Sequence, residues 1–114
     1  MTRFASLNDL SPAGTNITGA STSNSVKTEK AQDARIYLDV TSVPGGQDLD
    51  VFVQTSPDNV DFFDVKAFNN LNSVKKDVIS LREEEMGSFV RLRFVPSGAG
   101  PFVLGAQIEK KQGG

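Results

Sequence analysis

The 114-residue chain has no cysteine, no histidine and no tryptophan, and it has a single tyrosine. Without cysteine it can form neither a disulfide nor a thiolate metal site. Without histidine it lacks the usual partner of a serine or cysteine nucleophile, and also the ligand that zinc and haem sites most often use. The sequence therefore predicts a protein that is not an enzyme and that holds no cofactor.

Strong charge of one sign and long apolar runs are also missing. The 12 Lys and Arg residues are interspersed with 14 Asp and Glu residues, for a net charge of −2, and no basic stripe is visible. Nucleic-acid binding thus has little electrostatic support. No apolar run approaches the roughly 20 residues of a membrane-spanning helix. We therefore expect neither nucleic acid nor a membrane as a partner.

What the chain does have is period-2 alternation of apolar residues, with Val and Phe prominent, which favours strands. Two such runs flank a Pro-Gly pair, and residues 34–56 are predicted to form a central hairpin in which Pro44 and Gly45 occupy the middle of a type II turn. Residues 88–108 are predicted to form a second hairpin. The fold class predicted is all-β: an antiparallel sandwich, jelly-roll or immunoglobulin-like, of about six to seven strands.

The same alternation predicts the core and the edges. Mid-strand residues on the more apolar faces are expected to be buried, namely Leu38, Val51, Val53, Leu92 and Leu104. The charged insertion at 75–77 suits an edge strand, because charge there deters pairing with foreign strands.

Residues 1–32 differ in composition from the rest. Ser11 to Ser25 is almost entirely small or polar, so this stretch cannot bury enough surface to fold alone. The domain division predicted is an extended polar arm at 1–32, a sandwich at 33–110 and a polar tail at 111–114. The arm is either a frayed tail with one short edge strand or a segment that becomes ordered against a neighbouring subunit. Its anchors would be its larger apolar residues, Phe4, Leu7, Leu10 and Ile17.

Two acidic clusters are candidates for a chemical site. Asp58, Asp61 and Asp64 crowd one turn and offer oxygen ligands of the kind calcium prefers, but their spacing is not that of an EF-hand and turn chemistry explains them without a metal. The three consecutive acids at 83–85 are typical of a solvated loop. We predict no metal site and no catalytic residue.

Arg91 and Arg93 share one face of a predicted strand beside Phe89. This face is either an ordinary solvent-facing surface or a polar subunit interface, where arginine is enriched.

Part of the pattern resembles a known family. The residues that carry the first half are Leu49-Asp50-Val51, Val53-Gln54, Ser56, Asp58 and Phe62-Phe63-Asp64, and those of the second half are Gly87, Phe89-Val90-Arg91 and Gly100-Pro101. Over about Arg35 to Ile108 the chain resembles the small β-sandwich structural proteins of tailed-phage virions. That resemblance implies a non-enzymatic head decoration, or cement, protein.

The resemblance also implies partners and a location. Such a protein is assembled in the host cytoplasm, sits on the capsid exterior as an oligomer, often a homotrimer, and braces neighbouring copies of the major capsid protein. Two alternatives stay open: a tail or connector component of a phage, and a carbohydrate-binding sandwich. The second would need exposed aromatic side chains, and Tyr37 is the one tyrosine.

Overall fold

The computed structural model of the chain describes residues 3–29 and 31–112. Over these residues the chain forms nine β-strands and one 3₁₀ turn at Glu83–Glu85. The strands are β1 (Arg3–Ile17), β2 (Ser21–Thr22), β3 (Val26–Lys27), β4 (Ala31–Ser42), β5 (Leu49–Ser56), β6 (Phe63–Leu71), β7 (Lys75–Arg82), β8 (Phe89–Pro96) and β9 (Phe102–Gln112). None of the described residues belongs to a helix long and apolar enough to cross a membrane.

Two antiparallel sheets pack into a sandwich. Sheet A has the strand order β1-β9-β4-β7, and sheet B has the order β2-β8-β5-β6, with β3 also pairing with β8. The prediction of an all-β antiparallel sandwich is confirmed. β2 and β3 contain only two residues each, so the longer strands agree with the number predicted. β7 lies at the edge of sheet A, as the charges at 75–77 indicated.

The core lies between the sheets and is filled by alternate residues of each strand, because successive side chains of a strand point to opposite faces. The five residues predicted to be buried, which are Leu38, Val51, Val53, Leu92 and Leu104, are all at most 1% exposed. Burying each such side chain contributes about 1.5–3 kcal/mol.

Both predicted hairpins are wrong. β4 pairs with β7 and β9 in sheet A, whereas β5 pairs with β6 and β8 in sheet B. β8 and β9 likewise lie in different sheets. The turn after β4 begins at Pro44, whose carbonyl accepts a hydrogen bond from Gln47 N at 3.3 Å. Gly46, not Gly45, carries the positive φ, 74°. The turn therefore carries the chain from one sheet to the other.

The predicted arm at 1–32 is corrected by β1. Residues 3–17 pair with β9 along the edge of sheet A, and Leu10 and Ile17 enter the core at 1% and 3% exposure. Composition alone indicated that this segment could not fold by itself, but the edge of β9 supplies backbone partners and the core accepts its two apolar side chains. A bulge between Ser11 and Thr15, with φ of 86° at Gly14, lets the strand keep that register.

The predicted polar tail also begins too early. β9 continues to Gln112, and Lys111 pairs with both Phe4 and Asp33. The last two residues lie outside the described part of the chain.

Candidate interaction surface

The outer face of sheet B carries Arg91 and Arg93, as the alternation predicted. Val90, Leu92 and Phe94 of the same strand are buried in the core, so the two arginines point away from it. On the neighbouring strand β5, Gln54 lies opposite Arg91 and Phe52 lies opposite Arg93. We call the following residues the arginine–aromatic face: Phe52, Gln54, Phe62, Asp64, Arg91 and Arg93.

Hydrogen bonds join the polar members of this face in one chain. Arg91 Nε donates to Gln54 Oε1 at 2.8 Å, and Gln54 Nε2 donates to Asp64 Oδ1 at 2.9 Å. Arg93 Nη2 then pairs with Asp64 Oδ2 at 3.0 Å. Gln54, at 6% exposure, is the buried link, and both ends of its amide are used. These hydrogen bonds thereby fix the direction of both guanidinium groups.

Each arginine also lies against a phenylalanine ring. Arg91 Cζ is 3.7 Å from the centroid of the Phe62 ring, and Arg93 Cζ is 4.3 Å from that of Phe52. A guanidinium over an aromatic face is attracted by the ring quadrupole, by about 0.5–1 kcal/mol where the pair is exposed. The rings and hydrogen bonds together hold the arginines flat on the sheet instead of leaving them extended into solvent.

Electrostatics favour the charged form of the central carboxylate. The hydrogen bond from Arg93 is the main cause that holds the pKa of Asp64 below its ordinary value. Desolvation opposes it, and the Gln54 amide and the Arg93 charge lower the pKa further. Asp64 is therefore ionised at neutral pH and compensates Arg93. Arg91 faces a neutral amide and a ring, so it is the uncompensated charge of the network.

The acidic turn considered for calcium is engaged in another way. Asp58 Oδ1 accepts hydrogen bonds from the backbone N–H groups of Val60 and Asp61, both at 2.9 Å, and these bonds lower the pKa of Asp58. Asp64 belongs to the arginine–aromatic face. In the described ranges, no group of three or more His, Cys, Asp or Glu side chains is placed to hold a metal ion. The turn residues thus stabilise the link between β5 and β6.

The acidic run at 83–85 forms the 3₁₀ turn. Glu85 accepts a hydrogen bond from Arg82 N at 2.8 Å and pairs with Lys66 Nζ at 3.3 Å, and these contacts lower its pKa. Lys66 Nζ also donates to the carbonyl of Ser80 at 2.7 Å. Because Lys66 lies on β6 and Ser80 on β7, this contact connects the edges of the two sheets. An acid catalyst would need a raised pKa, so this arrangement is structural.

The structure separates the four proposed anchors of the N-terminal segment. Leu10 and Ile17 are buried in the core, so their side chains are not available to a partner in this fold. Leu7 remains 54% exposed, opposite Glu109 on the outer face of sheet A. The backbone of Phe4 pairs with Lys111, and its side chain lies outside the described part of the structure. The anchors therefore do not form one surface, whereas Arg91 and Arg93 do.

Sequence reasoning missed Phe52, Gln54, Phe62 and Asp64 as partners of the arginines. Phe52 and Gln54 fall on the outward positions of β5, so the alternation held a signal for them. The pairing of Gln54 with Asp64 depends on the shift in register between Val53 and Gln54, which no local pattern reveals.

Comparison with known proteins gives a likeness of fold alone. No family model matches the chain, and no curated protein is significantly similar to it. It is similar to a protein of Bacillus endospore appendages, described as a family of disulfide-linked pili, at 14% identity and a TM-score of 0.54 over 97% of this chain and 84% of that one. It is also similar to a chain in the structure of infectious bursal disease virus strain Gx, at 12% identity and a TM-score of 0.58 over 97% of this chain and 32% of that one.

Both similar proteins come from assemblies, one a pilus and one a virus. The chain spans about a third of the viral one. What this chain shares with them is a β-rich fold.

Proposed function

We propose that this protein is a non-enzymatic structural subunit of a virion, a decoration protein that binds the exterior of a phage head and braces neighbouring copies of the major capsid protein. It acts through the arginine–aromatic face, as an oligomer of its own copies. The likeness in fold to a viral chain supports the structural role. The resemblance of residues 35–108 to tailed-phage sandwich proteins supports the specific one.

The observation that carries the proposal is the preorganisation of the arginine–aromatic face. Arginine and aromatic residues are enriched at protein interfaces and dominate binding hot spots. Their side chains normally lose rotamer freedom on association, at about 0.5–1.5 kcal/mol each. Here hydrogen bonds and ring contacts already hold Arg91 and Arg93 before any partner arrives. A preorganised face suits a protein that attaches in many copies to a rigid shell.

The sheet face replaces the N-terminal segment as the contact. With Leu10 and Ile17 in the core, an attachment built on all four anchors would require β1 to leave the sandwich. The face of sheet B needs no such rearrangement, because its side chains already point outward.

The experiment is a pelleting assay with undecorated capsids assembled from the major capsid protein of the same virus. Arg91→Ala and Phe62→Ala are expected to weaken attachment at least tenfold, which is about 1.4 kcal/mol. Arg35→Ala is the matched control, because Arg35 is an exposed arginine on the opposite sheet. Circular dichroism checks that each variant is folded. Full occupancy by both test variants, or an equal loss with Arg35→Ala, would contradict the proposal.

Light scattering on the isolated protein tests the oligomer, for which a homotrimer is expected. Isolated tails or connectors in place of capsids test the alternative of a tail or connector component. A pilus of the disulfide-linked kind is disfavoured, because none of the 114 residues is a cysteine.

A further inference from the structure

A second feature lies on the opposite side of the sandwich. The outer face of sheet A contains a groove of about 440 Å3, within the range of small-molecule sites in proteins. It is lined by residues of all four strands, among them Ala13 of the β1 bulge, Tyr37 and Asp39 of β4, and Lys76 of β7. From these residues we infer that the groove binds a neutral saccharide, a function separate from attachment to the shell.

The bulge of β1 packs closely over the sheet at Gly105, which is one of the residues that line the groove. Gly105 lies opposite Asp39 on β9, and a Cβ at this position would come within 3.0 Å of Ala13 Cα. The bulge of β1 can therefore approach the sheet only because residue 105 has no side chain.

Tyr37 supplies a fixed aromatic surface. Its hydroxyl donates to Glu109 Oε1 at 2.8 Å, which sets the orientation of the ring, and the side chain remains 37% exposed. The apolar C–H face of a sugar packs against such a ring, while its hydroxyls need polar partners around the edge.

Those polar partners are Asp39 and Lys76, which lie opposite each other on β4 and β7. Neither side chain has a hydrogen bond or ion pair with another group in residues 3–29 and 31–112. A carboxylate only accepts hydrogen bonds and an ammonium only donates them. A pair of neighbouring sugar hydroxyls can serve both at once, because each hydroxyl donates and accepts.

The charge around the groove favours a neutral ligand. Asp9, Asp39 and Asp77 line it together with a single lysine, Lys76. Asp77 is compensated by Lys75 at 3.6 Å, whereas Asp9 accepts a hydrogen bond from the neutral Gln107 Nε2 at 3.1 Å and keeps its charge uncompensated, so the rim has one acid in excess. Phosphorylated, sulfated and sialylated ligands are therefore repelled.

The test is a titration of the isotope-labelled full chain with maltotriose, cellotriose and N,N′,N″-triacetylchitotriose, all of which are neutral, followed by amide chemical shifts. At least one of the three is expected to give saturable shifts centred on Asp39, Gly105 and Gln107. Tyr37→Ala is expected to weaken that binding at least tenfold, about 1.4 kcal/mol. Tyr37→Phe keeps the ring and should retain most of the affinity.

Phe63→Ala is the control, because Phe63 is an exposed aromatic residue on sheet B. It should leave the affinity unchanged, as should Arg91→Ala, so failure of this inference is distinguishable from failure of the capsid proposal. No saturable shift with any of the three sugars, shifts away from the groove, or unchanged binding by Tyr37→Ala would overturn it. Tighter binding of a sulfated sugar or of a lysine-rich peptide in the groove would overturn it as well.

Discussion

The two outer faces of the sandwich use similar residue types in different ways. On sheet B the polar side chains of the arginine–aromatic face are hydrogen-bonded to one another: Gln54 connects Arg91 to Asp64, and Asp64 pairs with Arg93. On sheet A, Asp39 and Lys76 stand beside an open groove without such a link. Side chains that are already hydrogen-bonded to one another lose little rotamer freedom when a protein covers them. Polar groups that have no such partner and lie beside an aromatic ring suit a small polar ligand. In the two proposals made above, each side therefore has its own binding partner.

The largest expected effect comes from the core, which the two sheets share although their outer faces differ. Leu92→Ala removes a buried side chain behind the arginine–aromatic face, and Leu38→Ala removes one behind the groove. Both are expected to lower the free energy of unfolding by about 2–4 kcal/mol, through lost burial and the cavity left behind. Urea denaturation measures both. A near-neutral result for either would mean that its sheet does not share the common core.

A smaller effect is expected from the link in the hydrogen-bond chain. Gln54→Ala leaves Arg91 and Asp64 each without one partner, and unfolding should become easier by about 1–2 kcal/mol. Gln107→Ala on sheet A is the matched control. Gln107 is exposed, so its change should stay within about 0.5 kcal/mol. Equal losses of unfolding free energy from the two variants would contradict the view that the hydrogen-bond network on sheet B has no counterpart on sheet A.

The smallest effect is a pH dependence confined to sheet B. Because the pKa of Asp64 is lowered in the folded state, its ionised form stabilises the fold above its unfolded pKa, close to 3.8. That stability is lost as the pH falls through the lower folded value. The wild type should therefore be more stable than Asp64→Asn at neutral pH, with the difference shrinking below about pH 4. A difference in stability that does not vary with pH would mean that the charge of Asp64 does not stabilise the fold.

The sequence predicts on which face of a sheet a side chain lies better than it predicts which strands pair. Period-2 alternation placed Leu38, Val51 and Leu92 in the core and the two arginines outside it, because alternation depends only on the direction of each side chain. Alternation does not show which strands pair, so it predicts hairpins at two places where the chain in fact crosses from one sheet to the other. For the same reason the sequence predicts an arm where β1 lies, since the stability of this strand comes from β9, which is about 100 residues further along the chain.

The same holds for the candidate interaction surface: the direction of its side chains is predictable from the sequence, but their contacts with other strands are not. Arg91 and Arg93 were recognised because they alternate with buried neighbours within one strand. Asp64 was considered only as a calcium ligand, since its contact with Gln54 requires both the β5–β6 register and its irregularity. The groove depends on Gly105 meeting Ala13, two residues far apart in sequence, and no local pattern predicts that approach.

The absence of native cysteine allows the most direct test of which side faces the shell. Val95 and Val103 are half-buried valines next to core residues, one on the outer face of sheet B and the other on that of sheet A. Val95→Cys and Val103→Cys each give the protein a single thiol, which is labelled with a maleimide before and after binding to capsids. The account predicts that binding strongly slows labelling at residue 95 and leaves labelling at residue 103 unchanged. Protection of residue 103 with free labelling of residue 95 would contradict it.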